Sequence, residues 1–230
     1  TLFPYTTLFR SWIHSARLMK LLKSVNVSGQ HCDILISDEN VALWEAFNSH
    51  KATIAVLGKE DIDIPVSKYA VESLEDIDEE YIKKVACRTL GMPFNIGKVE
   101  GINIREMRPD DFEILSQFRE FPFKTKNDLQ EYISFHYDFY GYGLYVFEND
   151  NEFMGLAGFY NKDGKCYISY MTEERYRRCG YTFKVCRYLL DYLRESVKII
   201  DVYAQIDKSN IASISFAKKL GVIINEILIE

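Results

Sequence analysis

The stretch that most constrains this chain runs from a strand-like segment, Lys165 to Thr172 (KCYISYMT), through Arg177-Arg178-Cys179-Gly180-Tyr181-Thr182 into an amphipathic helical pattern from Thr182 to Glu195. A strand that turns directly into a helix leaves several backbone N–H groups unpaired at the helix start. With the positive end of the helix dipole, those groups form a site for a phosphate or pyrophosphate. Gly180 lets the backbone approach a ligand closely, Thr182 is placed to cap the helix, and the two arginines add positive charge. One glycine does not by itself separate such a site from an ordinary strand–helix turn.

The rest of the chain narrows the choice. Its 230 residues suffice for one large domain or two small ones, and 47% hydrophobic with 27% charged residues is the balance of a globular protein. The net charge of −6 argues against nucleic acid as a partner, since that affinity rests on lysine and arginine neutralising phosphates. No apolar run approaches the ~18 residues that span a bilayer, so no membrane partner is expected. The five cysteines are odd in number and lack CxxC spacing, which points to a reducing cytoplasm. His14, His31, His50 and His136 lie far apart, and no metal site is expected.

Two patterns follow one another along the sequence. In the first part, Asp33 to Asp38 and Thr53 to Leu57 read as strands flanking a helix over 39–48, the spacing of a parallel βαβ unit, with Asp38 as helix cap. A third short strand over 68–74 and a helix over 78–90 complete it. Residues 96–100 read as a linker punctuated by Gly97 and Gly101. Beyond it, Ile102 to Met107 is a strand, Pro109 opens a helix, and Asn127 caps a second one running to about Tyr140. Three antiparallel strands then precede the arginine-rich loop. A strand over 199–206, a helix over 210–220 and a last strand-like segment over 222–229 follow, with a closing hairpin expected to be missing. Residues 1–18 stand apart as a leader; the first eleven look like a translated sequencing adapter, with Met19 as the expected start.

Arg177 to Thr182 resembles the acyl-CoA pyrophosphate loop of the GCN5-related N-acetyltransferase (GNAT) superfamily: Gln or Arg, two residues, Gly, one residue, Gly or Ala. Arg178 stands where glycine is frequent, and Thr182 fills the Gly/Ala slot. The segment Asn210-Ile-Ala-Ser213-Ile-Ser-Phe-Ala-Lys-Lys219-Leu-Gly221 resembles the same superfamily's helix beside the pantetheine arm. Tyr69-Ala70-Val71-Glu72 and Leu74 to Asp78 resemble a two-domain arrangement common in anaerobic Firmicutes. The stretch from Ile34 to Gly58 is faintly similar to the last βαβ unit of haloacid-dehalogenase-type phosphatases, but the nucleophilic aspartate motif is absent.

The resemblance implies an α/β (α+β) chain: a GNAT fold over 101–230, with a mixed, mostly antiparallel sheet flanked by helices. A small βαβ, Rossmann-like module over 19–95 precedes it. It implies direct acetyl transfer from acetyl-CoA to an amine, on a small molecule or a protein N-terminus, by a bacterial, cytoplasmic monomer or homodimer. The implied cofactor contacts are Tyr170, Met171 and Thr172 through the main chain, then Arg177, Arg178, Cys179, Gly180, Tyr181 and Thr182 around the pyrophosphate. Asn210, Ser213 and Phe216 are the implied contacts along the arm. Tyr167 occupies the position of a frequent glutamate base, which leaves Glu173 as the candidate catalytic group. Ala217 occupies the position of a frequent tyrosine acid. Both departures motivate the alternative of a catalytically weak acyl-CoA-binding sensor. Tyr132, His136, Tyr137, Phe139, Tyr140, Tyr142 and Tyr145 form an aromatic cluster that reads as an acceptor pocket or as core packing.

Overall fold

The computed structural model describes residues 20–57, 67–118 and 121–227, with the side chains of 138, 139 and 226 outside the description. The leader and Met19 therefore lie outside the described residues. The chain divides into two compact units, Thr1–Leu90 and Gly91–Glu230.

In the first unit the strands β1 (Lys20–Val27), β2 (Gln30–Ser37), β3 (Ala52–Val56) and β4 (Tyr69–Val71) form one sheet in that order. β2, β3 and β4 run parallel, the arrangement expected from the helix α1 (Asn40–Asn48) between the first two. β1 was not legible in the sequence: it pairs antiparallel with β2 and buries only Val27, so its apolar alternation is weak. The α1 cap corrects another expectation. The N-cap is Glu39, without a side-chain cap bond, and its N–H donates to Ser37 Oγ at 3.1 Å, so Asp38 does not fill that position. Asp78 does cap α2 (Glu79–Thr89), accepting from the Tyr81 N–H at 2.7 Å.

The second unit carries a seven-stranded sheet. β5 (Asn95–Val99), β6 (Ile102–Glu106), β7 (Leu144–Asn149), β8 (Glu152–Lys162) and β9 (Lys165–Thr172) pair antiparallel in sequence order. β10 (Val202–Asp207) and β11 (Ile223–Ile227) add in parallel beyond β9, giving the mixed, mostly antiparallel sheet that was expected. The stretch read as a linker over 96–100 is thus largely an edge strand. Gly97 is a close approach and not a break: a Cβ there would fall 1.9 Å from the Tyr188 hydroxyl, which itself donates to Ile96 O at 3.0 Å. The last strand-like segment pairs with β10 from Tyr203↔Ile223 to Asp207↔Ile227.

Helices fill in around this sheet. Pro109 opens a single 3-10 turn that leads into α3 (Phe112–Leu115). The next helix, α4 (Lys126–Phe135), is capped by Thr125 and not by Asn127, which lies inside it and donates to Glu131 Oε1 at 2.8 Å. α4 ends in a π-helical turn over His136–Tyr140, after which Gly141 at φ 72° reverses the chain. α5 (Tyr181–Tyr192) joins β9 to β10, and α6 (Ile211–Leu220) joins β10 to β11.

Beneath α4 the core gathers Met107, Leu115, Leu129, Leu144, Val146 and Phe153. One ionic cluster is buried beside it. Arg105 donates from both terminal nitrogens to Asp111, at 2.8 and 2.9 Å, and from Nε to Glu148 at 3.0 Å. Burial opposes the guanidinium charge, but the bonds to Asp111 and Glu148 outweigh it and raise the Arg105 pKa.

Candidate functional site

The site begins where two strands part. β9 and β10 pair only at Val202↔Cys166 and Tyr203↔Tyr167. Beyond Tyr167, β9 continues to Thr172 against β8 alone, while β10 continues to Asp207 against β11. Ile168 to Thr172 therefore have a strand on one edge only. Tyr170 and Thr172 from that stretch line a cleft of about 650 Å³ whose other walls are the loop over 176–180, α5 and α6.

The loop closing this cleft is held to the strand at two points. Glu173 starts a 3-10 turn over Glu174–Tyr176, and Arg177 Nε then donates back to Thr172 O at 3.1 Å. Thr172 Oγ1 and Thr182 Oγ1 share a hydrogen bond of 2.6 Å, which ties the end of β9 to the first turn of α5. Between these ties the backbone turns left-handed twice, at Arg178 (φ 63°) and at Gly180 (φ 82°). Gly180 is the N-cap of α5 and has no side chain to offer the first-turn N–H groups; no carboxylate stands in that turn. The expected cap, Thr182, lies inside the helix and bonds the strand instead. The start of α5 thus keeps its positive end uncompensated.

Charge and shape point the same way. Arg177, Arg178, Lys184 and Lys219 line the cleft, the Lys184 ammonium being paired with Glu100 at its edge, and no described carboxylate is part of the lining itself. This cationic lining stands in a chain of net charge −6. Toward the base the lining turns aromatic: the rings of Tyr170 and Phe216 lie 4.5 Å apart, and Phe183 meets Phe216 edge-on at 5.9 Å. Burial raises the Tyr170 pKa, against the opposing effect of its hydrogen bond with Ser213, so the phenol stays protonated. The donors, the cations and the apolar trough fit a phosphate-bearing ligand with a long, weakly polar arm.

The cleft brings together most of the residues singled out in the sequence. Tyr170, Thr172, Arg177, Arg178, Gly180, Thr182, Ser213 and Phe216 line it. Met171 packs against the core cluster on the other face of β9. Cys179 is exposed and its thiol donates to Arg177 O at 3.5 Å. Tyr181 opens α5 and packs edge-on against Tyr176 at 6.3 Å. Asn210 caps α6, its Oδ1 accepting from the Ser213 N–H at 3.0 Å, so its side chain serves its own helix. Glu173 binds the Arg175 N–H and Nε at 3.2 and 3.0 Å and lines neither this cleft nor its neighbour. Lys184, Phe183 and Lys219 escaped the sequence reading, although Lys219 sits inside the segment quoted for α6 and Lys184 lies one turn into α5.

A second cleft, of about 430 Å³, adjoins the first through Tyr170, which lines both. Of the aromatic cluster, only Tyr132 and His136 line it; Tyr137, Tyr142 and Tyr145 are core residues, and the Phe139 side chain lies outside the description. Tyr137 pins the π-helical turn, accepting from the Met107 N–H at 2.9 Å and donating to Leu144 O. The two positions that depart from the superfamily pattern are both buried. Tyr167 is stacked on Tyr160 at 5.5 Å, and Ala217 is a buried methyl group.

Residues 102–223 match the family described as the acetyltransferase (GNAT) domain, which is more than half of the chain. A search of curated protein sequences finds no match. Among solved structures, an acetyltransferase from Agrobacterium tumefaciens is 16% identical with TM-score 0.48, covering 54% of this chain and 81% of its own. The ribosomal L7/L12 alpha-N-protein acetyltransferase RimL is 19% identical with TM-score 0.49, covering 56% and 80%. A spermidine N-acetyltransferase chimera from Vibrio cholerae SpeG and hSSAT is 13% identical with TM-score 0.46, covering 53% and 80%. The chain belongs to the GNAT acetyltransferase family, N-acetyltransferases whose acetyl donor is acetyl-CoA.

Proposed function

We propose that the cleft between β9 and β10 holds acetyl-CoA and that the protein passes the acetyl group directly to an amine presented from the adjoining cleft. The observation that carries this reading is that Tyr170 and Thr172, on the stretch of β9 that has parted from β10, share one cleft with an uncapped helix start and with Arg177, Arg178, Lys184 and Lys219. In this reading the main chain of Arg177 to Thr182 binds the pyrophosphate, while Lys219, and Lys184 on exchanging Glu100 for the ligand, meet the remaining phosphate charge. Ser213 and Phe216 flank the arm. The unpaired edge of β9 at Tyr170 to Thr172 supplies N–H donors for the thioester carbonyl, the oxyanion-hole role. Bound acetyl-CoA supplies the activated acyl carbon; the chain's own contribution is orientation, which alone is worth of order 7–11 kcal/mol in well-aligned pairs. A thiolate with a conjugate-acid pKa of about 8.5 leaves without a dedicated acid, so Ala217 is compatible with turnover. The five free cysteines suit a reducing bacterial cytoplasm, where we place the protein.

The other reading is a sensor that binds acetyl-CoA without transferring its acetyl group, and the observation favouring it is that Tyr167, Ala217 and Glu173 all stand outside acid–base geometry. Release of free thiol from acetyl-CoA over a panel of amines separates the two. An enzyme releases thiol in proportion to the acetylated amine; a sensor binds the donor and releases none with any amine.

A further inference from the structure

The first cleft accounts for the acetyl donor but leaves the acceptor and the proton unassigned. The second cleft is built from different chemistry. Phe121 and Phe123 close one side, Tyr132 and His136 another, and Tyr160 and Tyr170 stand on the sheet. No described charged side chain lines it. A polycation would leave its distal charges unpaired here, at a desolvation cost with no compensating carboxylate. One ammonium on an apolar body fits instead, since aromatic faces attract a cation and bury hydrocarbon.

Besides the tyrosine hydroxyls, Asn161, Ser169 and His136 are the polar side chains in that lining, and His136 stands apart among them. Its imidazole stacks on Tyr132 at 4.0 Å, and its Nδ1 is buried without a hydrogen-bond partner among the described residues. Leaving such a nitrogen unpaired costs roughly 1–3 kcal/mol, which folding alone does not recover. The π-helical turn that begins at His136 presents the ring, and such turns recur at functional sites because they add a residue to a helix without breaking it. Among the described side chains, Tyr132, Tyr140, Tyr160 and Tyr170 are the titratable groups around it, on its own segment and across the cleft.

We propose that the second cleft takes an acceptor amine carried on a single apolar or aromatic body, and that His136 is the catalytic residue that receives its proton. The inference rests on the reading of the first cleft as the acetyl-CoA site. The ammonium gives one proton to His136, and the freed lone pair forms the C–N bond to the acetyl carbon as the C–S bond breaks. A second nitrogen-bound proton goes to the departing sulfur, and His136 returns its own to solvent. Burial lowers the His136 pKa, so the imidazole is neutral and ready to accept at neutral pH.

Thiol release with 2-phenylethylamine and with spermidine, in the wild type and in His136→Asn, tests this. Expected are a kcat/KM favouring 2-phenylethylamine by at least about tenfold and a pH limb of unit slope on the acid side. In His136→Asn, kcat falls by roughly 10²-fold with KM little changed and the limb disappears. The imidazole resonance of His136 is expected to shift when 2-phenylethylamine is added without any acetyl donor, a readout independent of turnover. Calorimetry with acetyl-CoA keeps the two levels apart: equal affinity in both proteins shows that the variant is folded and the first cleft intact. Preference for spermidine, survival of the pH limb in His136→Asn, or an unmoved imidazole resonance overturns the inference while the donor site stands. Failure of the wild type to bind acetyl-CoA overturns the reading beneath it.

Discussion

Arg178 sets two effects against each other, and replacing it by glycine and by alanine separates them. Its φ of 63° places a residue with a Cβ in the left-handed region. That costs about 1–2 kcal/mol. Glycine removes this cost but gives up about 0.5–1 kcal/mol in chain entropy. Arg178→Gly is therefore expected to stabilise the second unit by about 0.5–1 kcal/mol, a shift of roughly 1–4 °C in its melting temperature. Arg178→Ala keeps the strain and gains nothing. The charge works the other way. A cation about 4 Å from a phosphate is worth about 1 kcal/mol in water and more where solvent is excluded. Arg178 is exposed, so the low figure applies, and both variants are expected to bind acetyl-CoA about fivefold more weakly. At 1 M salt, with a screening length of about 3 Å, that loss is expected to vanish. Thermal melts and calorimetry at two salt concentrations read both effects. Equal stability of the glycine and alanine variants refutes the strain argument; unchanged affinity at low salt refutes the placement of Arg178 beside a phosphate.

Arg105→Met leaves Asp111 and Glu148 buried, at 7% and 8% side-chain exposure, without their cation. A loss of about 3–5 kcal/mol is expected at pH 7. The orphaned carboxylates then bind protons more readily folded than unfolded, so urea melts of this variant should show stability returning as the pH falls. His136 gives the opposite sign. Its folded pKa lies below the unfolded value of 6.5, so the unfolded chain binds the extra proton first and wild-type stability falls as the pH drops through that window. His136→Asn is expected to flatten that part of a stability–pH curve. Lys219→Ala removes one lining cation, and a several-fold weaker, less salt-sensitive affinity for acetyl-CoA should appear in calorimetry with the melting temperature unchanged.

What the sequence disclosed and what it hid have separable causes. The helix start within 177–182 and the helix over 210–221 were legible because Gly180, Asn210 and Gly221 are residue types that mark where a helix begins or stops. The parallel strands of the first unit were legible because the spacing between them admits one helix. β1 was hidden because an edge strand buries one face poorly. β5 was hidden because Gly97 looks like punctuation until Tyr188 is seen in the space above it. Asn210 shows a subtler limit: the same residue type suits a helix cap and a ligand contact, and only the 3.0 Å bond to the Ser213 N–H decides where the side chain goes. Glu173 was plausible by position, yet Arg175 lies two residues away and takes its carboxylate. His136 was named in the sequence as part of the aromatic cluster, but its unpaired Nδ1 required the three-dimensional arrangement, because an unpaired nitrogen is a property of its neighbours.

The central claim is that the gap between β9 and β10 is an acetyl-CoA site, and calorimetric titration of the full chain with acetyl-CoA tests it most directly. The account expects saturable binding at one site per chain, weakened as salt is raised because Arg177, Arg178, Lys184 and Lys219 meet the phosphates. Absence of binding at low salt, or binding indifferent to salt, contradicts it.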